Sequence, residues 1–265
     1  MKLLFFGVVV GSPGREAVAH YIERLERAGD RPDLVIANGN YAAGGAGLTG
    51  EKADELFKAG VDVITTGENV WDQKDLQSAI SNRPEILRPE NLPEGSPGSG
   101  VLIKEVGEKK RRVGIVNIVG YSFMGRVLPE NPFPKIRGLI KEVNKETDII
   151  IVDFFAKTTA EKVAMTIHLD GMISLLCGSG TLVQTADESV SRLGTAAVTD
   201  VGMAGAANSV LGFEKEREIK KFRTAIKAFS TSAKGKPLVN AVLVEIDDAS
   251  GRAVSIVRIN EVLDI

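Results

Sequence analysis

The chain has 265 residues, 43% of them hydrophobic and 26% charged, with 33 basic and 35 acidic side chains for a formal net charge of −2. That balance supplies apolar surface for a sizeable core, excludes collagen-like, coiled-coil and disordered chains, and leaves no global field to draw the protein to nucleic acid or an anionic membrane. Cys177 is the only cysteine, so an internal disulfide is excluded and a reducing compartment is expected.

Met1 leads straight into Lys2-Leu3-Leu4-Phe5-Phe6 and Gly7, too short an apolar run for a signal-peptide core or a membrane span, which sets the expectation of a cytoplasmic protein. Short Val- and Ile-rich runs then recur along the chain: Leu3 to Val10, Leu34 to Ala37, Val61 to Thr65, Val113 to Val119, Ile149 to Phe155, Ile173 to Cys177 and Ala196 to Val198. Such runs, bounded by turn residues, read as buried strands. Between them Glu16 to Ala28, Gly50 to Ala59 and Lys74 to Ser81 carry apolar residues at helical spacing. From Val101 to Val119 and from Leu238 to Ile259, strands follow one another through turn signals alone, so the sheets are expected to be mixed. Nothing in the sequence reads as a linker or a repeat, and residues 1–265 are expected to form one α/β domain.

Ligands of open α/β sheets bind beyond the carboxyl ends of the strands, and the unusual segments of this sequence lie there. They are Gly7 to Gly14, Asn38 to Gly45, Thr66 to Asp72, Asp153 to Lys157, Gly178 to Leu182 and Thr199 to Gly205. Neither Gly11-Ser12-Pro13-Gly14 nor Gly44-Gly45-Ala46-Gly47 has the spacing of a P-loop or a dinucleotide fingerprint, so both read as turns that shape loops.

These segments resemble the YmdB-type branch of the calcineurin-like metallophosphoesterases, enzymes similar to phosphodiesterases acting on 2′,3′-cyclic nucleotides. The matching pieces include Val9 to Arg15, Asn38-Gly39 with Ala42-Ala43, Gly67 with Trp71-Asp72, Asp153-Phe154, Val183 to Asp187 and Thr199 to Met203, in family order over nearly the whole chain. The resemblance implies an αββα sandwich of two mixed sheets flanked by helices, a homo-oligomer, and two metal ions that activate water and clamp a phosphate.

The departures from that pattern fall on the metal-site positions. Val8 stands where the family has its first-loop Asp, Asn40-Tyr41 where it has Glu-Asn, and Glu68-Asn69 where it has a ligand Asn and a catalytic His. Phe155, Gly180 and Leu182 stand at three further His positions, Lys157 at a Glu, Tyr121 at an Arg, and Ala206-Ala207 at bulky residues. The two histidines of the chain, His20 and His168, fall inside expected helices. A binuclear site needs several imidazole or carboxylate ligands together, so neither metal nor any other cofactor is expected, and two-metal phosphodiesterase activity is expected to be lost.

Changes concentrated in one pocket read as an active site rebuilt by design, with a natural pseudoenzyme as the competing account. The expected result is a larger apolar hollow lined by Val8, Tyr41, Phe155, Leu182 and Trp71, with Asn40, Asn69, Gly180 and Ala206 around it. A lysine there would resist protonation, so Lys157 is the leading candidate for a Schiff-base nucleophile of retro-aldol type, with Glu68 or Tyr121 moving the proton and an apolar or aromatic carbonyl compound as substrate. Glu68 beside Trp71 is the candidate base in a second reading, Glu90 an alternative to it, and a mutually neutralising Glu68–Lys157 pair the bland one. Cys177 and Ser179 are nucleophile types without an evident base. A silent binding protein and a residual phosphodiesterase complete the expectations.

Overall fold

The computed structural model describes residues 1–107 and 109–264. In chain order these form β1 (Lys2–Val10), α1 (Gly11–Ala28), β2 (Leu34–Tyr41), α2 (Gly50–Lys58), β3 (Val63–Thr65), α3 (Leu76–Asn82), β4 (Ile86–Leu87), β5 (Val101–Val106), β6 (Arg111–Val119), α4 (Pro132–Val143), β7 (Ile150–Phe155), α5 (Thr159–Leu169), β8 (Leu175–Ser179), β9 (Ser189–Val190), β10 (Ala196–Val198), β11 (Met203–Ala206), α6 (Lys215–Thr224), β12 (Pro237–Ile246) and β13 (Ala253–Val262). The strands make two mixed sheets, one in the order β13-β12-β11-β1-β2-β3-β4 and the other in the order β5-β6-β7-β8-β10-β9.

Alternation along β1 shows why the sheets stack. Leu3 and Phe5 join Leu34, Ile36, Val113, Ile115, Ile151 and Leu175 in a core shared by both sheets. Leu4 and Phe6 point the other way, into a core with Ala17, Val18 and Ile22 of α1 and Leu56 of α2. A third core seats Ile136 and Ile140 of α4 and Met165 and Leu169 of α5 on Val116, Ile118 and Val152 of the second sheet. Three cores between four layers give the expected αββα sandwich, and each large side chain fully buried in them contributes about 2 kcal/mol.

Several boundaries differ from expectation in ways that matter for the site. Gly11-Ser12-Pro13-Gly14 is the first turn of α1, not a loop. The carbonyl of Ala204 in β11 lies where a Cβ on Gly14 would stand, so the helix can sit directly on the sheet only because that side chain is missing. At its other end α1 closes on Gly29 at φ 74°, whose N–H reaches Glu26 O at 3.0 Å while Asp30 N–H reaches Leu25 O at 2.9 Å. β2 runs on through Tyr41, so Asn38 and Asn40 are strand residues.

Met203–Ala206, expected as a loop, is instead a strand of the first sheet, parallel to β1 with Val8 opposite Met203. The chain therefore crosses from the second sheet to the first through Thr199–Gly202, which places Asp200 at the seam between them. Among the described residues no helix is long and apolar enough to cross a membrane.

Candidate functional site

Four strand ends meet at one buried carboxylate. Asp153, near the end of β7, accepts from Ser179 Oγ of β8 at 2.6 Å on Oδ1, and from Asn38 Nδ2 of β2 at 2.8 Å and Thr65 Oγ1 of β3 at 2.5 Å on Oδ2. Asn38 and Thr65 belong to the first sheet and Ser179 to the second, so this residue ties the sheets together at their carboxyl edge. Burial pushes its carboxyl up to about 6; the bonds from Ser179, Thr65 and Asn38 oppose that shift, and the charge on Asp200 adds to it.

Asp200 forms the second part of this inner layer. It is fully buried with Lys162 of α5, whose Nζ lies 2.5 Å from Oδ2. Thr181 donates to the same oxygen from its N–H at 2.9 Å and its hydroxyl at 2.6 Å, while Gly202 N–H reaches Oδ1 at 2.8 Å. Burial lowers the Lys162 pKa and the Asp200 carboxylate opposes the shift. A buried charge so fully paired holds the fold and is not free to take a ligand.

The outer layer is less complete. Asn40 N–H donates to Asn38 Oδ1 at 3.0 Å, and Asn40 Oδ1 accepts from Asn69 N–H at 2.9 Å, joining the end of β2 to the loop after β3. Asn40 Nδ2 and Asn69 Oδ1 are buried with no protein partner among the described residues. Next to Asn69, Glu68 is 7% exposed and forms an ion pair with Lys157, itself 28% exposed. Tyr41 adds a long hydroxyl contact to Glu68 Oε1 at 3.4 Å, and burial followed by the Glu68 charge raises its phenol pKa. The Lys157 ammonium also stands 5.5 Å from the centre of the Phe155 ring.

The expected hollow is filled. Val8, Phe155, Ser179, Gly180 and Leu182 are all buried, and the Phe155 ring lies against Gly67 and Gly180 where side chains would otherwise stand. The aromatic ring packs into the space, as close-packed interiors require. A groove of about 780 Å³ opens farther out, bordered by Tyr41, Asn69, Arg126, Phe213, Phe222 and Phe229. Tyr41 meets Phe213 edge to face at 5.8 Å, and Arg126 bonds to Asp72 at 2.9 Å. Trp71 is half-buried against the core that includes Val70 and Leu76, apart from the groove lining.

Other expected site residues lie elsewhere. Cys177 is buried in the inter-sheet core, where burial drives its thiol pKa well up, with Asp153 and Asp200 adding to the shift; it is no thiolate nucleophile. Ser179 spends its hydroxyl on Asp153, and Glu90 closes a loop by accepting from Gly100 N–H at 2.6 Å and pairing with Arg88 at 3.2 Å. Tyr121 is exposed, anchored through its backbone N–H to Glu161, and Ala206 is buried in the β11–β12 pairing opposite Pro237. In place of the lysine expected to stand alone among apolar groups, Lys157 is paired with the Glu68 carboxylate. Asn38, Thr65, Asp153, Lys162 and Asp200, to which sequence reasoning gives no role of their own although three of them lie in the expected site segments, are the residues that organise it. Polarity at the ends of apolar strands is the signal that points to them.

The donor set does not fit a pair of metal ions. Among the described residues no three His, Cys, Asp or Glu side chains come together as a metal-binding group. Asp153 is occupied by three internal donors and Glu68 by Lys157. His168 Nε2 donates to Phe133 O, 3.1 Å away on the outside of the second sheet, and His20 borders a surface groove with Arg24 and Glu261.

A family model described as YmdB-like protein matches residues 4–259. The chain is 40% identical to the 2′,3′-cyclic-nucleotide 2′-phosphodiesterase of Bacillus subtilis strain 168 over 98% of its own length and 96% of that protein's. Among solved structures, a Mycoplasma pneumoniae protein described as a novel phosphatase superposes with a TM-score of 0.91 at 31% identity, covering 99% of this chain and 93% of that one. A Thermus thermophilus protein described as hypothetical superposes with a TM-score of 0.90 at 33% identity, covering 99% of both chains.

Proposed function

The chain belongs to the YmdB-like family, and we propose that it keeps the phosphodiesterase-like scaffold as a binding protein for nucleotide-like phosphate compounds without two-metal hydrolysis. The observation that carries this reading is the Glu68–Lys157 ion pair in the mouth of the site, where a carboxylate able to hold a cation is already neutralised by the chain itself. The groove beside it supplies what binding requires: Phe213, Phe222 and Phe229 offer apolar faces to a base, and Lys227 offers positive charge to a phosphate, joined by Arg126 and Lys221 if the phosphate displaces their partners Asp72 and Glu218. The Bacillus relative is named for action on 2′,3′-cyclic nucleotides, which makes that compound class the first ligand to try. Schiff-base chemistry at Lys157 has no support in this geometry.

The test combines binding and turnover on the same preparation. With 2′,3′-cyclic AMP and manganese present, a rise in melting temperature without formation of a nucleoside monophosphate is expected. The absence of both stabilisation and turnover at millimolar ligand would remove the binding reading. Hydrolysis accompanied by two bound ions per chain would instead establish the second reading, a residual phosphodiesterase, which the 40% identity to the Bacillus enzyme favours.

A further inference from the structure

We infer that the Lys157 ammonium is a covalently tethered cation that takes the place of a bound metal at the mouth of the site, so that the site is charge-complete with no ion added. This rests on the reading that the donor set takes no metal pair, and it goes further by assigning one residue the cation's electrostatic work.

Glu68 is nearly buried, and a carboxylate removed from water needs a counter-charge within contact distance. Lys157 provides it from the loop after β7, and the amide edge of Asn69 lies one residue beyond Glu68. The Tyr41 hydroxyl lies 3.4 Å from the same Glu68 oxygen that the ammonium meets, so the cation stands beside oxygen atoms from the end of β2 and from the loop after β3. Lys157 stands over the Phe155 ring, whose face favours a cation there whether or not Glu68 is charged. One ammonium thus supplies in cis the charge that a divalent ion would bring from solution. It needs no metal supply, and it cannot be removed by a chelator.

The inference predicts that removing the tether opens the place to a free cation. Lys157→Met leaves Glu68 without its partner, and the hard oxygen donors around it suit manganese better than a thiolate-seeking metal. Manganese titration followed by electron paramagnetic resonance should show no site in the wild type and one ion per chain in Lys157→Met, bound at least about tenfold more tightly than by the wild type. Lys157→Arg, which keeps the charge, should behave as the wild type, and the Lys157→Met/Glu68→Gln double variant should lose the new site.

Equal manganese binding by wild type and Lys157→Met would overturn the inference, as would a folded Lys157→Met that takes up none. If Lys157→Met does not fold unaided, refolding with and without manganese decides the same question: rescue by the ion supports the tethered-cation role, and equal failure rejects it. Failure of the wild type to bind 2′,3′-cyclic AMP bears on the proposed function alone, so the two ideas fail by different measurements.

Discussion

The two ion pairs of the site are built from the same chemistry and perform different work. Lys162 and Asp200 are both fully buried at the seam between the sheets, and each carboxylate oxygen of Asp200 has a donor. Lys157 and Glu68 meet farther out, partly open to solvent, beside two amide atoms with no partner. The inner pair is part of the framework, buried where the chain crosses from one sheet to the other. The outer pair is a closure over a place whose surroundings remain unsatisfied, which is where a ligand gains most by arriving.

Breaking the inner pair should have the largest effect. Lys162→Met strands the Asp200 carboxylate in the core, and a loss of about 3–5 kcal/mol in urea-unfolding free energy is expected; a loss below about 1 kcal/mol would show that the seam is held by something else. Asp153 comes next, and its effect depends on pH. Its folded pKa of about 6 lies above the unfolded value of 3.8, so its contribution is fully present below about pH 4 and is lost as pH rises through 6. Subtracting the Asp153→Asn profile from the wild-type profile should leave a fall on the order of 3 kcal/mol between about pH 4 and pH 6. A flat difference would mean that the carboxylate is hydrated.

The outer pair should tolerate neutral replacement. In Lys157→Met/Glu68→Gln both charges vanish together, and a change within about 1 kcal/mol is expected by the same unfolding assay. A cost equal to that of Lys162→Met would erase the distinction between the two layers. Smallest of all, Arg126→Ala removes an exposed pair with Asp72 and should leave stability within about 0.5 kcal/mol. The same variant should weaken any stabilisation by 2′,3′-cyclic AMP, which separates groove binding from fold maintenance.

The layered architecture is legible in the sequence because it rests on local periodicity. Leu3 and Phe5 alternate with Leu4 and Phe6, and a strand buried on both faces must read that way whatever surrounds it. Gly11 to Gly14 mislead because their composition is that of a turn; what lets them be helical against the sheet is the close approach of Gly14 to a carbonyl of β11, nearly two hundred residues away. Met203–Ala206 mislead in the same way, since strand pairing with β1 is a long-range fact. The pocket is legible as a set of positions and not as a shape. That Val8, Phe155 and Leu182 are apolar is written in the chain, whereas the filling of the space against Gly67 and Gly180 by the Phe155 ring depends on how closely two sheets approach.

Residue identity alone established the shortage of histidine, the single cysteine and the repeated buried strands, because counting and spacing need no third dimension. Whether Lys157 is a free amine or one half of an ion pair is a matter of distance to a side chain 89 positions away, and only folding sets that distance. Charge chemistry is governed by neighbours in space, so the same lysine that reads as a nucleophile along the chain becomes a counter-ion once β7 carries it to Glu68.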